Sequence, residues 1–189
     1  MRRNFLSIAG FAMAVILLAV GGLTLWGSAY IHNTVHSQLA AQQIFFPPKG
    51  SPALAPKEIG PYLNQYAGQQ LLTGQQAEAY ADHFIAVHLA ETAGGKTYAQ
   101  LSTAALAQPD NAKLAGQVAT VFKGESLRGM LLNAYGWWKV SQITYIVSIV
   151  SFALGGLALI GSVIGLAFGR KPRALPRITH ESINPVETA

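Results

Sequence analysis

The chain has 189 residues, of which 51% are hydrophobic, only 11% are charged and none is cysteine. Soluble domains carry about 25% charged residues, and the lack of cysteine excludes thiol catalysis, iron–sulfur clusters and cysteine-based zinc sites. The net charge of +5 comes from the two ends of the chain, because residues 28–139 hold seven basic and six acidic residues. The composition therefore favours a protein in contact with membrane lipid and gives no indication of nucleic-acid binding.

Two long apolar stretches, from Phe5 to Trp26 and from Ile143 to Phe168, contain no charged residue. Each is long enough to cross a bilayer, whose hydrocarbon core of roughly 30 Å needs about 20 helical residues. We therefore predict transmembrane helices at residues 5–27 and 140–168, with the segment 28–139 between them.

Basic residues flank both stretches on their terminal sides, with Arg2 and Arg3 before the first and Arg170 and Lys171 after the second. The positive-inside rule then places residues 1–4 and 169–189 in the cytoplasm of a bacterial cell and segment 28–139 outside its plasma membrane. A twin-arginine export signal cleaved near Ser28 is an alternative interpretation. We expect a retained anchor, because the stretch exceeds the 7–15 apolar residues of a signal peptide.

The first helix is predicted to continue beyond the membrane to Ile44, because Ile31, Val35 and Leu39 keep a helical spacing. The segment 45–61 is rich in proline and reads as an extended connector. A second helical region starts near Tyr62 and is interrupted at Gly74.

Helices are next predicted over residues 75–92 and 97–107, the first of them ended by the glycine pair 94–95. An amphipathic stretch over residues 112–134 is expected to run into the second span. The tail after Gly169 is expected to be disordered, because it holds few apolar residues. The predicted fold class is thus an all-α membrane protein, in which two antiparallel transmembrane helices flank a helical extracytoplasmic domain.

Two groups of residues within and beside the spans have predicted roles in the membrane. Aromatic residues near the outer ends of the spans are expected at the headgroup level: Trp26, Tyr30, Tyr135, Trp137 and Trp138. Gly161, Gly165 and Gly169 form a stripe at four-residue spacing that permits close helix contact. This stripe is compatible with packing of the two spans on each other, and equally with a homo-oligomer or a protein partner in the membrane.

Histidines supply the one candidate metal site. His32 and His36 are four residues apart on the extended first helix, and His88 and Glu91 are three apart on the central helix, which also carries His83. Imidazole and carboxylate from two packed helices are typical ligands of zinc or copper. The alternative is that these histidines are simply hydrogen-bonded or solvated. We predict no cofactor and no catalytic residue.

The segment His88 to Ala99, which includes Gly94, Gly95 and Lys96, resembles a segment of small two-span membrane proteins of actinobacteria. The alternation of Ala77, Ala79 and Ala81 before it, and Val35 to Ile44 after the first span, are also similar to that family. The resemblance implies the two-span layout and no established function. Some members carry an automatic label as aromatic ring-opening dioxygenases, which this chain does not support because it offers no convincing iron site.

The sequence thus favours a non-enzymatic two-pass membrane protein. We expect it to act as an accessory or scaffold subunit through its extracytoplasmic domain. The alternative function is binding of a metal or another ligand by that domain.

Overall fold

The computed structural model describes residues 2–168, with side chains from Phe5 onward, and these residues fold into helices without a strand. Two long helices, α1 (Arg2–Ala41) and α6 (Ala112–Ala167), pack against each other, and shorter helices pack beside them at one end. The all-helical prediction is confirmed, and so is the continuation of region 112–134 into the second apolar stretch as one helix. Residue 1, Gly169 and the tail that follows it lie outside the described residues.

Both long helices are apolar enough to cross a membrane. Their most apolar windows reach mean hydropathies of 2.4 in α1 and 2.2 in α6, and only 11% and 22% of those windows are buried in the protein. The core helix of a soluble protein would be mostly buried. Apolar side chains instead point outward along the whole length of both predicted spans, as Phe5, Leu23, Ile149 and Leu157 do.

The long helices also extend well beyond a bilayer. Helix α1 has 40 residues and α6 has 56, which correspond to about 60 Å and about 84 Å at 1.5 Å per residue. A hydrocarbon core of roughly 30 Å accounts for about half of α1 and less than half of α6. The remaining turns of both helices are available to carry the rest of the protein.

Small residues at seven-residue spacing line the contact between α1 and α6. Each helix contributes four buried positions, and we call these eight residues the seam: Ser7, Ala14, Gly21 and Ser28 on α1, and Ser141, Ser148, Gly155 and Ser162 on α6. A repeat of seven keeps one face of a helix turned toward its partner. Small side chains let the two backbones approach closely.

The short helices lie between α1 and α6 in the chain. They are α2 (Gly60–Leu63), α3 (Gly74–Ala79), α4 (Ala86–Ala93) and α5 (Tyr98–Leu106), with 3-10 turns at Pro52–Leu54 and Asn64–Tyr66 and a π-helical turn at Tyr80–Ile85. Together with residues 28–41 and 112–139 of the long helices they form a region that we call the head. Its core is made of large apolar side chains, among them Leu39, Phe46, Leu63, Leu71 and Val121.

The proline-rich segment 45–61 is more structured than the sequence indicates. It contains the 3-10 turn at Pro52–Leu54 and buries Phe46, Leu54 and Ile59, which are at most 4% exposed. These apolar residues between the prolines hold the segment against the head core. The segment is thus part of the head rather than an extended connector.

The predicted central helix is observed as one continuous run from α3 through the π-helical turn to α4. Thr73 and Gln76 form a capping box at its start, which satisfies backbone N–H groups that would otherwise lack partners. Gly94 ends it in a left-handed conformation with φ 58°, which glycine adopts without steric cost. Gly74 packs directly on Trp138 of α6, where a Cβ atom would collide with the indole, so α3 is held against the long helix.

Candidate functional site

The predicted metal ligands do not come together in the structure. No group of three or more histidine, aspartate or glutamate side chains is close enough to hold a metal ion anywhere in residues 2–168. His32 stacks on Trp138 with ring centroids 4.1 Å apart, and His83 stacks on Tyr62 at 3.5 Å with the rings nearly parallel. His36 and Glu91 are exposed.

His88 likewise makes its contacts within its own helical run. Its Nδ1 lies 2.7 Å from the carbonyl oxygen of Phe84, one turn earlier in the same helical run, and its ring contacts the Phe84 ring. Three of the four histidines in the proposed ligand set therefore each have their own aromatic neighbour. The sequence showed which residues share a helix face, but which faces meet depends on how α1 and the central helical run each pack on α6.

The π-helical turn Tyr80–Ile85 carries the head's best-defined polar contact. Arg128 of α6 donates a hydrogen bond of 2.9 Å to Asp82 in that turn. This bond to Asp82 is the main reason that the pKa of Arg128 is raised. The pair links the central helical run to the part of α6 that belongs to the head.

Tyr80 in the same turn lies among aromatic rings. Its ring meets Phe46 edge-on at 5.4 Å and Phe84 at 4.8 Å. Burial raises the pKa of the Tyr80 phenol, because a low-dielectric surrounding disfavours the charged phenolate. The π-helical turn, which the sequence did not predict, thus places aromatic and charged residues side by side.

The predicted interface aromatics divide into two groups. Trp26, Tyr30 and Trp137 are 69%, 61% and 53% exposed, and Trp26 stacks on Tyr30 one turn away. Tyr135 is half-buried, with Lys139 Nζ 5.4 Å from its ring centroid. Trp138 differs, because it is only 6% exposed and lies in the head core between His32 and Gly74.

The predicted glycine stripe is only partly used between the two long helices. A Cβ at Gly165 would lie 2.5 Å from Ser7 Oγ, whereas a Cβ at Gly161 would meet nothing within 4 Å. Gly169 lies outside the described residues. The close contacts follow the seven-residue seam instead, a repeat that includes serine and alanine as well as glycine.

A groove between α1 and α6 lies where the seam meets the head. It has a volume of about 550 Å³, and five residues from each helix line it: Leu25, Ser28, Ala29, His32 and Asn33 on α1, and Trp138, Ser141, Gln142, Tyr145 and Ile146 on α6. We call it the boundary groove, because it straddles the predicted outer ends of both spans. Its lining is apolar at Leu25 and Ile146 and polar at His32, Asn33 and Gln142.

Two further grooves lie in the head. One of about 350 Å³ runs between α1 and α6 and is lined by Gln38, Met130, Asn133 and Trp137 among others. The other, of about 500 Å³, lies between α5 and α6 and is lined largely by apolar residues, including Tyr98, Leu106 and Phe122. We call these the side groove and the tip groove.

Comparisons with known proteins identify no relative of this chain. No family model, no curated protein and no solved structure matches the chain. The function must therefore be argued from the residues and their geometry.

Proposed function

We propose that this chain is a two-pass protein of the bacterial plasma membrane that works as an accessory or scaffold subunit rather than as an enzyme. In this proposal α1 and α6 cross the membrane as an antiparallel pair, both termini are cytoplasmic, and the head is extracytoplasmic. Its task is to hold a protein partner through the head.

The antiparallel arrangement is supported by contacts that run in opposite order along the two helices. Gly10 lies at Ser162, Gly21 lies at Phe152, and Ser28 Oγ donates a 2.7 Å hydrogen bond to the carbonyl oxygen of Ser141. The order of these contacts fits a hairpin whose two ends lie on the same side of the membrane. The basic residues at both ends then agree with the positive-inside rule.

The observation that carries the subunit proposal is an exposed apolar face on α6 above its predicted span. Phe122, Met130 and Trp137 are 56%, 70% and 53% exposed, and their spacings of eight and seven residues place them on neighbouring sides of the helix. Leu106 of α5, 82% exposed, adds to this surface at the tip groove. Outside the bilayer, large exposed apolar side chains on one helix face are typical of a protein–protein contact.

The polar groups of the seam support a structural rather than a catalytic role. The hydroxyls of Ser141, Ser148 and Ser162 each donate to a backbone carbonyl three or four residues earlier in α6, at 2.7 Å. The hydrogen-bonding capacity of these hydroxyl donors is thus used within their own helix.

Purification in a mild detergent tests the subunit role. The intact chain is expected to bring a defined protein partner with it, and the double substitution Phe122→Gln with Met130→Gln is expected to release that partner. Phe45→Gln is the control, because Phe45 is 58% exposed and lies in the proline-rich segment 45–61 rather than on α6. Recovery of the wild-type chain without any partner would contradict the proposal.

Disulfide trapping tests the antiparallel arrangement, and the chain has no native cysteine to interfere. A Cβ at Gly10 would lie 3.9 Å from the Ser162 Cβ, within the range of about 3.5–4.5 Å that a disulfide needs. Gly10→Cys with Ser162→Cys should therefore cross-link on oxidation. Gly22→Cys with Ser162→Cys should not, because a Cβ at Gly22 would meet nothing within 4 Å.

The side of the membrane is tested separately with a membrane-impermeant thiol reagent on intact cells. A single Lys96→Cys, at an exposed turn of the head, is expected to react without permeabilisation. Labelling only after the cells are opened would place the head in the cytoplasm and overturn the topology.

A further inference from the structure

The boundary groove has the chemistry of a ligand site for an uncharged amphiphile. It lies between α1 and α6 beside Trp138, whose indole packs on Gly74 of the head. A volume of about 550 Å³ falls within the range of about 300–1,000 Å³ typical of small-molecule sites.

The polar side chains of the groove are available for a ligand. Asn33 and Gln142 have no hydrogen-bond partner within residues 2–168, whereas Ser28 and Ser141 already donate to backbone carbonyls. Trp138, which forms one wall, is 94% buried and its Nε1–H also has no acceptor within the described residues. This Nε1–H is shielded by the surrounding protein, so the donors that a ligand in the groove can use are the amides of Asn33 and Gln142.

The charge of the lining limits the class of ligand. None of the ten lining residues is Lys, Arg, Asp or Glu. Lys139, the nearest cation in the sequence, is turned toward the Tyr135 ring. Phosphate and carboxylate groups are usually bound through arginine or lysine, so this lining favours an uncharged headgroup.

We infer that the boundary groove binds a membrane amphiphile with an uncharged headgroup that bears carbonyl or hydroxyl oxygens. The headgroup lies against Trp138, His32, Asn33 and Gln142, where the amide N–H groups of Asn33 and Gln142 donate to its oxygens. Its apolar tail leaves past Leu25 and Ile146 into the bilayer. This inference rests on the proposed insertion of α1 and α6 in a membrane.

Two kinds of membrane molecule share this chemistry, the isoprenoid quinones and the uncharged glycerolipids. Decylubiquinone and dioctanoylglycerol are soluble probes for the two, and dioctanoylphosphatidylglycerol is an anionic probe of similar size. Titration of the full-length chain in detergent, read by native mass spectrometry, gives a dissociation constant for each. The tighter of the two uncharged probes identifies the source, and weaker binding of the anionic probe is expected.

The chain offers a matched pair of variants. Asn33→Leu with Gln142→Leu removes the free amides of the boundary groove and should weaken binding of the uncharged probe by about tenfold or more, since hydrogen-bond donors are lost. Gln38→Leu with Asn133→Leu makes the same two changes in the side groove and should leave binding unchanged. Leucine preserves helix propensity at all four positions.

A second variant tests the volume of the groove rather than its polarity. Ala29→Phe fills the groove from an exposed helix position, so it should also abolish binding while circular dichroism shows the wild-type helix content. It keeps the inference testable if the amide variant fails to fold.

Three results would overturn the inference. They are the absence of binding of either uncharged probe to the wild-type chain, equal loss in the two amide double variants, and anionic binding as tight as uncharged binding. Carbonate extraction separates this failure from failure of the proposed function. A chain that stays in carbonate-washed membranes yet binds no probe contradicts only the groove, whereas release of the chain contradicts membrane insertion itself.

Discussion

The seam and the head core differ in the size of the side chains that they bury, although helices α1 and α6 run through both regions. Between the predicted spans the buried positions are Ser, Ala and Gly, as at Ser148 and Gly155. In the head core they are mainly Leu, Ile, Val, Phe and Trp, as at Leu63 and Val121, together with Ala77, Ala81 and Ala93 of the central helical run. On helices α1 and α6 the difference therefore arises from their surroundings rather than from their secondary structure.

This difference in side-chain size is the one expected between a region in water and a region in lipid. In water, burying large apolar side chains provides the main driving force for folding. In lipid this driving force is absent, because the hydrocarbon tails are as apolar as leucine, and helices associate by close backbone approach between small residues. The exposed Ile, Leu and Phe side chains around the seam belong to the same pattern, since they suit lipid.

The change from small to large residues occurs within one repeat. On α1 the seven-residue series Ser7, Ala14, Gly21 and Ser28 continues to Val35, which is buried in the head core. On α6 the change lies between Ser141 and Trp138. Ser28 and Ser141 are hydrogen-bonded to each other at the boundary groove. They therefore mark the level where the predicted spans end.

The largest expected effect comes from opening a cavity in the head core. Leu63 is 0% exposed, and Leu63→Ala should destabilise the head by about 2–5 kcal/mol through lost contacts and the cavity left behind. Urea unfolding in detergent, followed by the tryptophan fluorescence of the head, measures this cost. Leu106→Ala, at a position 82% exposed, is the control and should cost almost nothing.

A smaller effect is expected from overfilling the seam. A Cβ at Gly155 would lie 3.1 Å from Leu18 side-chain atoms and 3.3 Å from Leu17 Cβ. Gly155→Leu should therefore force the helices apart and cost about 1–3 kcal/mol, seen as a lower midpoint of thermal unfolding in detergent. The head core should keep its own urea midpoint if the two regions are separately packed.

Gly161→Leu is the informative companion, because a Cβ there would meet nothing within 4 Å. The seam predicts an unchanged thermal midpoint for it. A loss equal to that of Gly155→Leu would show instead that the four-residue glycine stripe is in use, through a contact with another chain.

The smallest effect concerns pH and is confined to the head. Burial raises the pKa of Tyr80 above its usual value of 10.0. Folding therefore favours the neutral phenol, and this contribution is complete below pH 10 and is lost as the pH rises through the folded pKa. Above pH 10 the wild-type chain should lose more stability than Tyr80→Phe, as measured by urea midpoints at stepped pH.

Much of the architecture could be predicted from local patterns. The charge-free stretches identified both apolar helices, and the glycine pair 94–95 and Thr97 bounded helices α4 and α5 because caps and turns depend on neighbouring residues. The region 112–134 was expected to join the second span because nothing in it ends a helix. These features need no knowledge of distant contacts.

The candidate sites were harder to predict because they depend on which helix faces meet. His32 and His83 share helices with other histidines, yet each stacks on a different aromatic ring. Trp138 has the position of an interface residue in the sequence, and only its contact with Gly74 shows that it belongs to the head core. The π-helical turn at Tyr80–Ile85 contains no glycine or proline that would mark it in the sequence.

The two apolar helices and the helical segment between them could be read from the amino-acid sequence, because hydropathy and helix ends are properties of neighbouring residues. The packing of the helices, in contrast, brings the seven-residue rows of small residues together, places the proline-rich segment in the head core and forms the boundary groove. The rows and the groove join residues more than a hundred positions apart, such as Ser28 and Ser141, so no local pattern could have shown them.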